Sequence, residues 1–451
     1  MKKALLLFFI LNIQKSFSQP KTGLILREEG SAEGYVLFAP LFSKTTYLID
    51  KFGKQVHTWQ SSKRPNQSVY LLPNGQLLRT TNDSTGSFSG GGGGIEKLDW
   101  NSKIIWSYRI SDSTQRQHHD ICPLPNGNIL VLVCDKKSPE QSITKGRDPK
   151  LLGESVWSEK IIELKPKGKN SAEIIWEWYV WDHLVQDFDS TKENYGNVSK
   201  NPQLFNINYL ASKSEDWLHF NSIAYNNELK QILVSNRNFN EVFIIEHGKK
   251  NESRSHSGGQ YRKGGDLLYR WGNSQAYNYG DVEDQKLYKQ HSAHWIAKGL
   301  KDENKIMIFN NGLERPAGDF SSVEIIEPIF DNNTNYKFEK DFGYLPDTLN
   351  WIYTADPQTI FYSRNVSNAQ RLYNGNTLIC EGANGVFFEI DSAQTIVWKY
   401  VSPVTASGVV SSTANISQNQ VFRCSFYQGN YSGFKKHKLI SGKEIELNSG
   451  K

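Results

Sequence analysis

The sequence predicts an all-β chain folded as a six-bladed β-propeller, closed by strands from its N- and C-terminal ends. Three observations predict it: an aromatic, glycine-rich composition without long helical periodicity, two half-repeats that recur along the chain, and an incomplete blade left at each end. Tyr, Phe and Trp make up 12% of the 451 residues while Met occurs only twice, a balance that favours short strands and turns over helices.

The first half-repeat is an Asn-Gly hairpin between apolar strands. It appears as Leu71-Leu72-Pro73-Asn74-Gly75-Gln76-Leu77-Leu78, as Leu124-Pro125-Asn126-Gly127-Asn128-Ile129-Leu130, and as Leu372-Tyr373-Asn374-Gly375-Asn376-Thr377-Leu378. Asn-Gly suits a tight hairpin, where positive φ is required. The second half-repeat is a strand, a polar turn and an apolar strand ending in Trp: Ile49-Asp50 to Trp59, Leu98-Asp99 to Trp106, Glu163-Leu164 to Trp176, Ile245-Glu246 to Trp271, and Glu389-Ile390-Asp391 to Trp398. Together the two halves make one four-stranded blade.

Blades are expected at about 67–110, 118–184, 219–273, 291–345 and 361–403. Three strands in 34–62 and a solitary strand near Val421-Phe422-Arg423-Cys424-Ser425-Phe426-Tyr427 complete a sixth, which removes the open sheet edges that invite aggregation. A β-sandwich or an open repeat array is the competing architecture. Segments 135–157, 184–216, 249–264 and 273–290 are long and polar and read as loops roofing one face of the ring. Gly90 to Gly94 reads as a mobile turn inside a blade, since no Gly-Lys-Ser/Thr follows it and no helix begins there.

Lys2 and Lys3, the apolar run Ala4 to Ile13 and the small residues around Ser16-Phe17-Ser18 form a secretory signal pattern. The expected organisation is a signal peptide over 1–18, an N-terminal extension over 19–33 and a propeller catalytic domain over 34–447, with a periplasmic or secreted product. No later segment has the length of a membrane helix. A net charge of +5 with scattered Lys and Arg leaves no nucleic-acid footprint. Neither nucleic acid nor membrane is expected as a partner. Cys122, Cys134, Cys380 and Cys424 lack metal-ligand spacing. A hairpin turn at Asn126-Gly127 sets Cys122 opposite a residue near Val131, so a bridge to Cys134 would need a register shift. The four read as small buried hydrophobes.

Histidines fall at the start of the first strand in three blades: His118-His119-Asp120, His219-Phe220-Asn221 and His291-Ser292-Ala293-His294. In a propeller that strand lines the central channel, so equivalent positions converge in space. Strand alternation puts His219 and Asn221 on one side and sends the members of each pair His118/His119 and His291/His294 to opposite sides. Arg237 ends the neighbouring apolar strand Ile232-Leu233-Val234-Ser235-Asn236 and reads as an anion clamp, because a guanidinium is always charged and presents a planar fork of donors.

His219-Phe220-Asn221-Ser222, Ser235-Asn236-Arg237, Gln290-His291-Ser292-Ala293 and His118-His119-Asp120 together resemble the aryl-sulfate sulfotransferase family. Further matches are Asn310-Asn311-Gly312, Arg315, Ser321-Ser322-Val323-Glu324-Ile325, Arg371 to Leu378 and Val421-Phe422-Arg423, over about residues 34–447. The resemblance implies a six-bladed exported enzyme that needs no nucleotide sulfate donor and no cofactor. It implies a small aryl sulfate donor and a phenolic acceptor as substrates. It makes His291 a transiently sulfated nucleophile, with His119, His219, Asn221 and Arg237 binding and polarising the sulfuryl oxygens. A neutral imidazole is a competent nucleophile near neutral pH, and positioned donors stabilise charge spreading onto the sulfuryl oxygens.

Better-known members carry an additional N-terminal β-sandwich and can hold a disulfide near the active site. Neither is expected here, because about fifteen residues separate the expected cleavage site from the first blade strand and 273–290 has no Cys. Two further readings stand beside the transferase: a metal-dependent lyase or hydrolase using the clustered histidines, and a non-catalytic propeller that binds a sulfated or phenolic ligand. His294 competes with His291 as the reactive residue.

Overall fold

The computed structural model describes residues 21–83, 90–331, 335–340 and 342–446; the expected signal peptide, 1–18, lies outside the described residues. Six antiparallel sheets form the ring. Blade 1 joins Val421–Tyr427 to Tyr35–Pro40, Thr45–Asp50 and Gln55–Gln60; blade 2 is Pro65–Leu71, Leu77–Thr81, Gly94–Leu98 and Ile104–Arg109. Blade 3 is Gln115–Pro123, Ile129–Lys137, Val156–Lys167 and Ser171–Tyr179; blade 4 is Phe220–Asn226, Gln231–Asn236, Glu241–Glu246 and Tyr269–Trp271. Blade 5 is His291–Trp295, Ile306–Asn310, Ser322–Ile326 and Trp351–Tyr353; blade 6 is Asn368–Arg371, Thr377–Glu381, Val386–Ile390 and Ile396–Val401.

Each blade is sandwiched between two others, so alternate side chains of its middle strands are buried on both faces. This explains the unbroken apolar run Ile129 to Val133, in which every residue is buried. The terminal Trp of the second half-repeat fills the space between blades. Its indole N–H commonly donates to a carbonyl of the following blade, as Trp106 does to Ser171 (2.9 Å) and Trp398 to Lys51 (2.9 Å). The Asn-Gly hairpins share one geometry. Gly75, Gly127 and Gly375 sit at φ 85–86° and donate to Leu72, Leu124 and Leu372, whereas the preceding Asn keeps negative φ. The turn is therefore a type I turn closed by a left-handed Gly, with only one residue of positive φ.

Closure by both ends is realised in blade 1, where Tyr35 pairs with Tyr427 and Phe38 with Cys424. Two boundaries differ from the sequence reading. The outer strand of blade 5 is Trp351–Tyr353, while Phe330–Asp331 pairs with Asn335–Tyr336 and Phe338–Glu339 with Gly343–Tyr344, and the Tyr336 and Tyr344 rings pack on Tyr269 of blade 4 at 4.8 and 5.6 Å. Burial of these tyrosines outweighs direct continuation of the blade. Within the segment read as an extension, Gly23–Arg27 adds a fifth strand to blade 6 along Ile396–Val401. Cys122 faces Leu130 and Cys134 faces Arg116, and all four cysteines are free thiols. No helix among the described residues is long and apolar enough to cross a membrane.

The innermost strands of successive blades touch around the axis. All six enter the channel from the same face, so strand starts collect at one mouth and strand ends at the other.

Candidate active site

At that mouth the starts of the inner strands of blades 3, 4 and 5 bring His118, His119, His219 and His291 together. Each start departs from regular strand geometry. His119, His219 and Ser292 have φ of 41°, 64° and 52°, and the ladders slip between His291 and His294 and between Phe220 and Ser222. Such bulges re-aim side chains. Consequently the expected alternation fails at His118 and His119: both rings join the cluster, with centroids 4.7 Å apart. His291 and His294 do part. The His119 and His291 rings lie 6.2 Å apart, whereas His294 lines a different cavity.

Hydrogen bonding settles the tautomer of His291. Asn311 Nδ2 donates to the carbonyls of Ser363 (2.7 Å) and Val366 (3.1 Å), which turns Oδ1 toward His291 Nδ1 at 2.7 Å. An amide oxygen only accepts, so Nδ1 carries the proton and Nε2 keeps its lone pair. Burial, reinforced by the Arg237 guanidinium, holds His291 well below the usual 6.5. The result is a neutral imidazole with a nucleophilic Nε2.

Two other histidines are backed by carboxylates. His219 Nδ1 bonds Asp216 Oδ2 at 2.6 Å, and His118 Nδ1 bonds Glu159 Oε1 at 2.7 Å. Burial pushes Asp216 upward, but the charge and hydrogen bond of His219 outweigh it and keep the carboxyl below its ordinary value. The Nε2 atoms of His119 and His219 are 2.9 Å apart and so share one proton. His119 Nδ1 is buried without a hydrogen-bond partner, and burial followed by the other histidines lowers its pKa well below 6.5.

Arg237 follows the second strand of blade 4, tied by its backbone N–H to the His219 carbonyl (3.2 Å). No carboxylate lies within ion-pair distance of it among the described residues; its Nη1 donates to Asn238 Oδ1 at 3.2 Å. Its charge acts on His119, His219 and His291. Asn221 Nδ2 donates one of its two N–H bonds to the Gln290 carbonyl at 2.7 Å, which anchors the residue before His291.

The Gly run is no free turn. The Gly90 carbonyl accepts from His119 N (3.0 Å) and Asn66 Nδ2 (2.9 Å), and a Cβ on Gly90 would lie 2.0 Å from His119 Nε2. Close backbone approach explains the glycine there.

Below the cluster, Asp120 and Arg423 form a buried ion pair at 2.7 Å, with Tyr70 OH donating to the other Asp120 oxygen at 2.9 Å. Beyond it lies a cavity of about 360 Å³ lined by His294, Arg423, Tyr70, Tyr225 and Trp295, none of which belongs to the upper cluster. His294 Nδ1 donates to the Ser292 carbonyl, and burial brings its pKa down to about 4.

Sequence reasoning missed Asp216, Glu159 and the part played by Asn311. Asp216 had a signal in its i−3 spacing from His219; Glu159 reaches His118 from a non-adjacent strand and had none.

Fold and site define a class: a six-bladed propeller with a buried neutral histidine, two carboxylate-backed histidines and a guanidinium at one channel mouth. The sequence matches the arylsulfotransferase (ASST) family over residues 22–426, and the chain belongs to that family. The family carries arylsulfotransferase-type function, with aryl sulfates and phenols as substrates. No curated protein matches. Among solved structures, a protein of unknown function from Bacteroides caccae is similar at 12% identity, TM-score 0.46, covering 87% of this chain and 98% of that one. A virginiamycin B lyase from Staphylococcus aureus is similar at 8% identity, TM-score 0.37, covering 84% and 88%.

Proposed function

We propose that the protein transfers a sulfuryl group from an aryl sulfate to a phenol in two half-reactions through a sulfated His291. The observation that carries this reading is the Asn311-fixed tautomer, which leaves Nε2 of a buried neutral imidazole available beside Arg237. In the first half-reaction Nε2 attacks sulfur, an N–S bond forms and the S–O bond to the phenol breaks. The anionic substrate offsets one added proton on the His119–His219 pair, giving an imidazolium over Asp216 that protonates the departing phenolate. In the second half the now neutral pair takes the proton of the acceptor phenol, whose oxygen displaces the sulfuryl group from His291. Arg237 balances the charge spreading over the sulfuryl oxygens. The leader-like pattern in residues 2–18 supports action outside the cytoplasm.

Incubation with a chromogenic aryl sulfate should release phenol, faster with an added phenol, and should leave a sulfuryl mass on His291 when no acceptor is present. Full activity in His291→Asn would overturn the proposal.

One observation favours a second reading. The Nδ1 atoms of His118 and His219 rest on carboxylates while ligand atoms of His118, His119 and His219 lie within 4.8 Å of one another, the arrangement that orients histidines toward a divalent metal. Activity abolished by chelation and restored by metal would select this reading; activity unchanged by exhaustive chelation excludes it.

A further inference from the structure

A second histidine cluster lies away from the channel, where the connection leaving blade 3 meets the excursion between the last two strands of blade 4. His183 follows the short helical turn Val180–Asp182, is fully buried and stacks on Trp178 at 5.4 Å. His183 Nε2 lies 2.9 Å from the Ser253 carbonyl, and a carbonyl only accepts, so Nε2 carries a proton. A neutral imidazole has no second N–H. Yet Nδ1 sits 2.8 Å from Asp266 Oδ1, which also only accepts when ionised. His256 Nδ1 meets the same Asp266 oxygen at 2.8 Å. Two lone pairs facing each other in a buried site require a positive charge between them: a further proton or a cation.

We propose that His183 Nδ1, His256 Nδ1 and Asp266 form a site for a borderline divalent metal such as Zn²⁺. The three ligand atoms lie within 4.8 Å of one another. Two imidazoles and a carboxylate suit zinc, with the fourth position left to water. Tetrahedral bonds of about 2.1 Å need ligand atoms roughly 3.4 Å apart, so the two 2.8 Å contacts to Asp266 Oδ1 must each lengthen. The contact of His256 can do so by movement of that ring, whose side chain is 60% accessible, and the buried contact of His183 by a turn of the Asp266 carboxylate. The fourth position faces a cavity of about 700 Å³ lined by Glu193, Asn194, Asn201, Gln203, Lys145 and Arg254. Arg254 does not supply the missing charge, because its Nε is committed to Asp182 at 2.6 Å. The metal would brace the segment that starts after His183 and ends at Asp216, the partner of His219.

The test uses the untagged full chain, stripped with chelator and titrated with Zn²⁺ by calorimetry, alongside His256→Ala and His119→Asn. Wild type and His119→Asn should each bind one zinc at the peripheral site, and His256→Ala should weaken it at least tenfold. A hundredfold excess of zinc over its dissociation constant should raise the melting midpoint of wild type by about 3 °C, and not that of His256→Ala. Absence of stoichiometric uptake by wild type would overturn the proposal. Uptake lost in His119→Asn but kept in His256→Ala would also overturn it, placing the metal in the channel cluster. Because zinc binding is read without activity, its failure is distinct from failure of the transferase reading.

Discussion

Asn311 offers the sharpest test of the nucleophile. Its side-chain amide holds two carbonyls of the blade 6 approach with one end and the His291 ring with the other, so it sets both the tautomer and the aim of Nε2. Replacing it with alanine removes three buried neutral hydrogen bonds, about 1 kcal/mol net each, and frees the ring to rotate and exchange tautomers. Loss of such an orienting partner costs about 10- to 100-fold, and the loss should fall on kcat with KM nearly unchanged, since Asn311 is fully buried behind the ring. Asn311→Asp keeps an acceptor but adds a negative charge beside the imidazole, which raises a histidine by roughly 1–3 pH units. His291 starts well below 6.5, and only its neutral form attacks, so the acidic limb of kcat/KM should move upward by that amount. The assay is phenol release from a chromogenic aryl sulfate across the acid range, with melting curves as a folding control. An Asn311→Ala enzyme within about twofold of wild type, against that expected loss, or an unmoved acidic limb in folded Asn311→Asp, would refute the tautomer argument.

Acid should destabilise the fold from about pH 6.5 downward. The folded pKa values of His119, His291 and His294 lie below the ordinary value, so stability is complete above it and is lost as the unfolded chain takes up protons; His294, down to about 4, contributes up to about 3 kcal/mol of this, read by denaturant titration at successive pH values. Gly90→Ala should lower kcat by at least about tenfold, because the new methyl displaces His119 as the loss of an orienting contact does, while strain at positive φ adds only about 1 kcal/mol to the stability cost. Lys51→Ala should cost about 3–5 kcal/mol by stranding Glu389 in the core, where the ion pair is buried on both sides; Lys51→Met with Glu389→Gln should recover part of that in thermal denaturation.

What could be read ahead of the structure follows from which interactions are local. The blades were legible because a turn such as Leu124 to Asn128 and a strand ending in Trp176 declare themselves within a few residues. Convergence of the clusters around His118, His219 and His291 followed from repeat phase, since equivalent positions of a ring share one mouth, and Arg237 from its place on the strand beside His219. Parity failed at His118 and His119 because alternation assumes a regular strand, and a positive φ at His119 breaks it. Nothing local reveals that the Gln290 carbonyl, from the next blade, accepts an N–H of Asn221. Glu159 was invisible for the same reason.

Departures from regular strand geometry recur where the inner strands approach the site. His119, His219 and Ser292 open the inner strands of blades 3, 4 and 5 at positive φ, and Val366 and Ser367, at 52° and 90°, precede the inner strand of blade 6. Such non-glycine conformations cost about 1–3 kcal/mol each and persist only where surroundings over-determine them. Here the surroundings are the site itself. The Val366 carbonyl is held by Asn311, the Ser367 hydroxyl donates to Ser363 Oγ at 2.8 Å, and the Ser363 carbonyl accepts from Asn311. The amide that aims His291 is thus fixed by a strained segment of the neighbouring blade, and that segment is fixed in turn by the amide. Below this layer the buried Asp120–Arg423 pair lines the cavity that also holds His294 and not His291. A ring of repeated blades thereby becomes one-sided: bulges gather imidazoles at the upper mouth, and a buried ion pair lies beneath them.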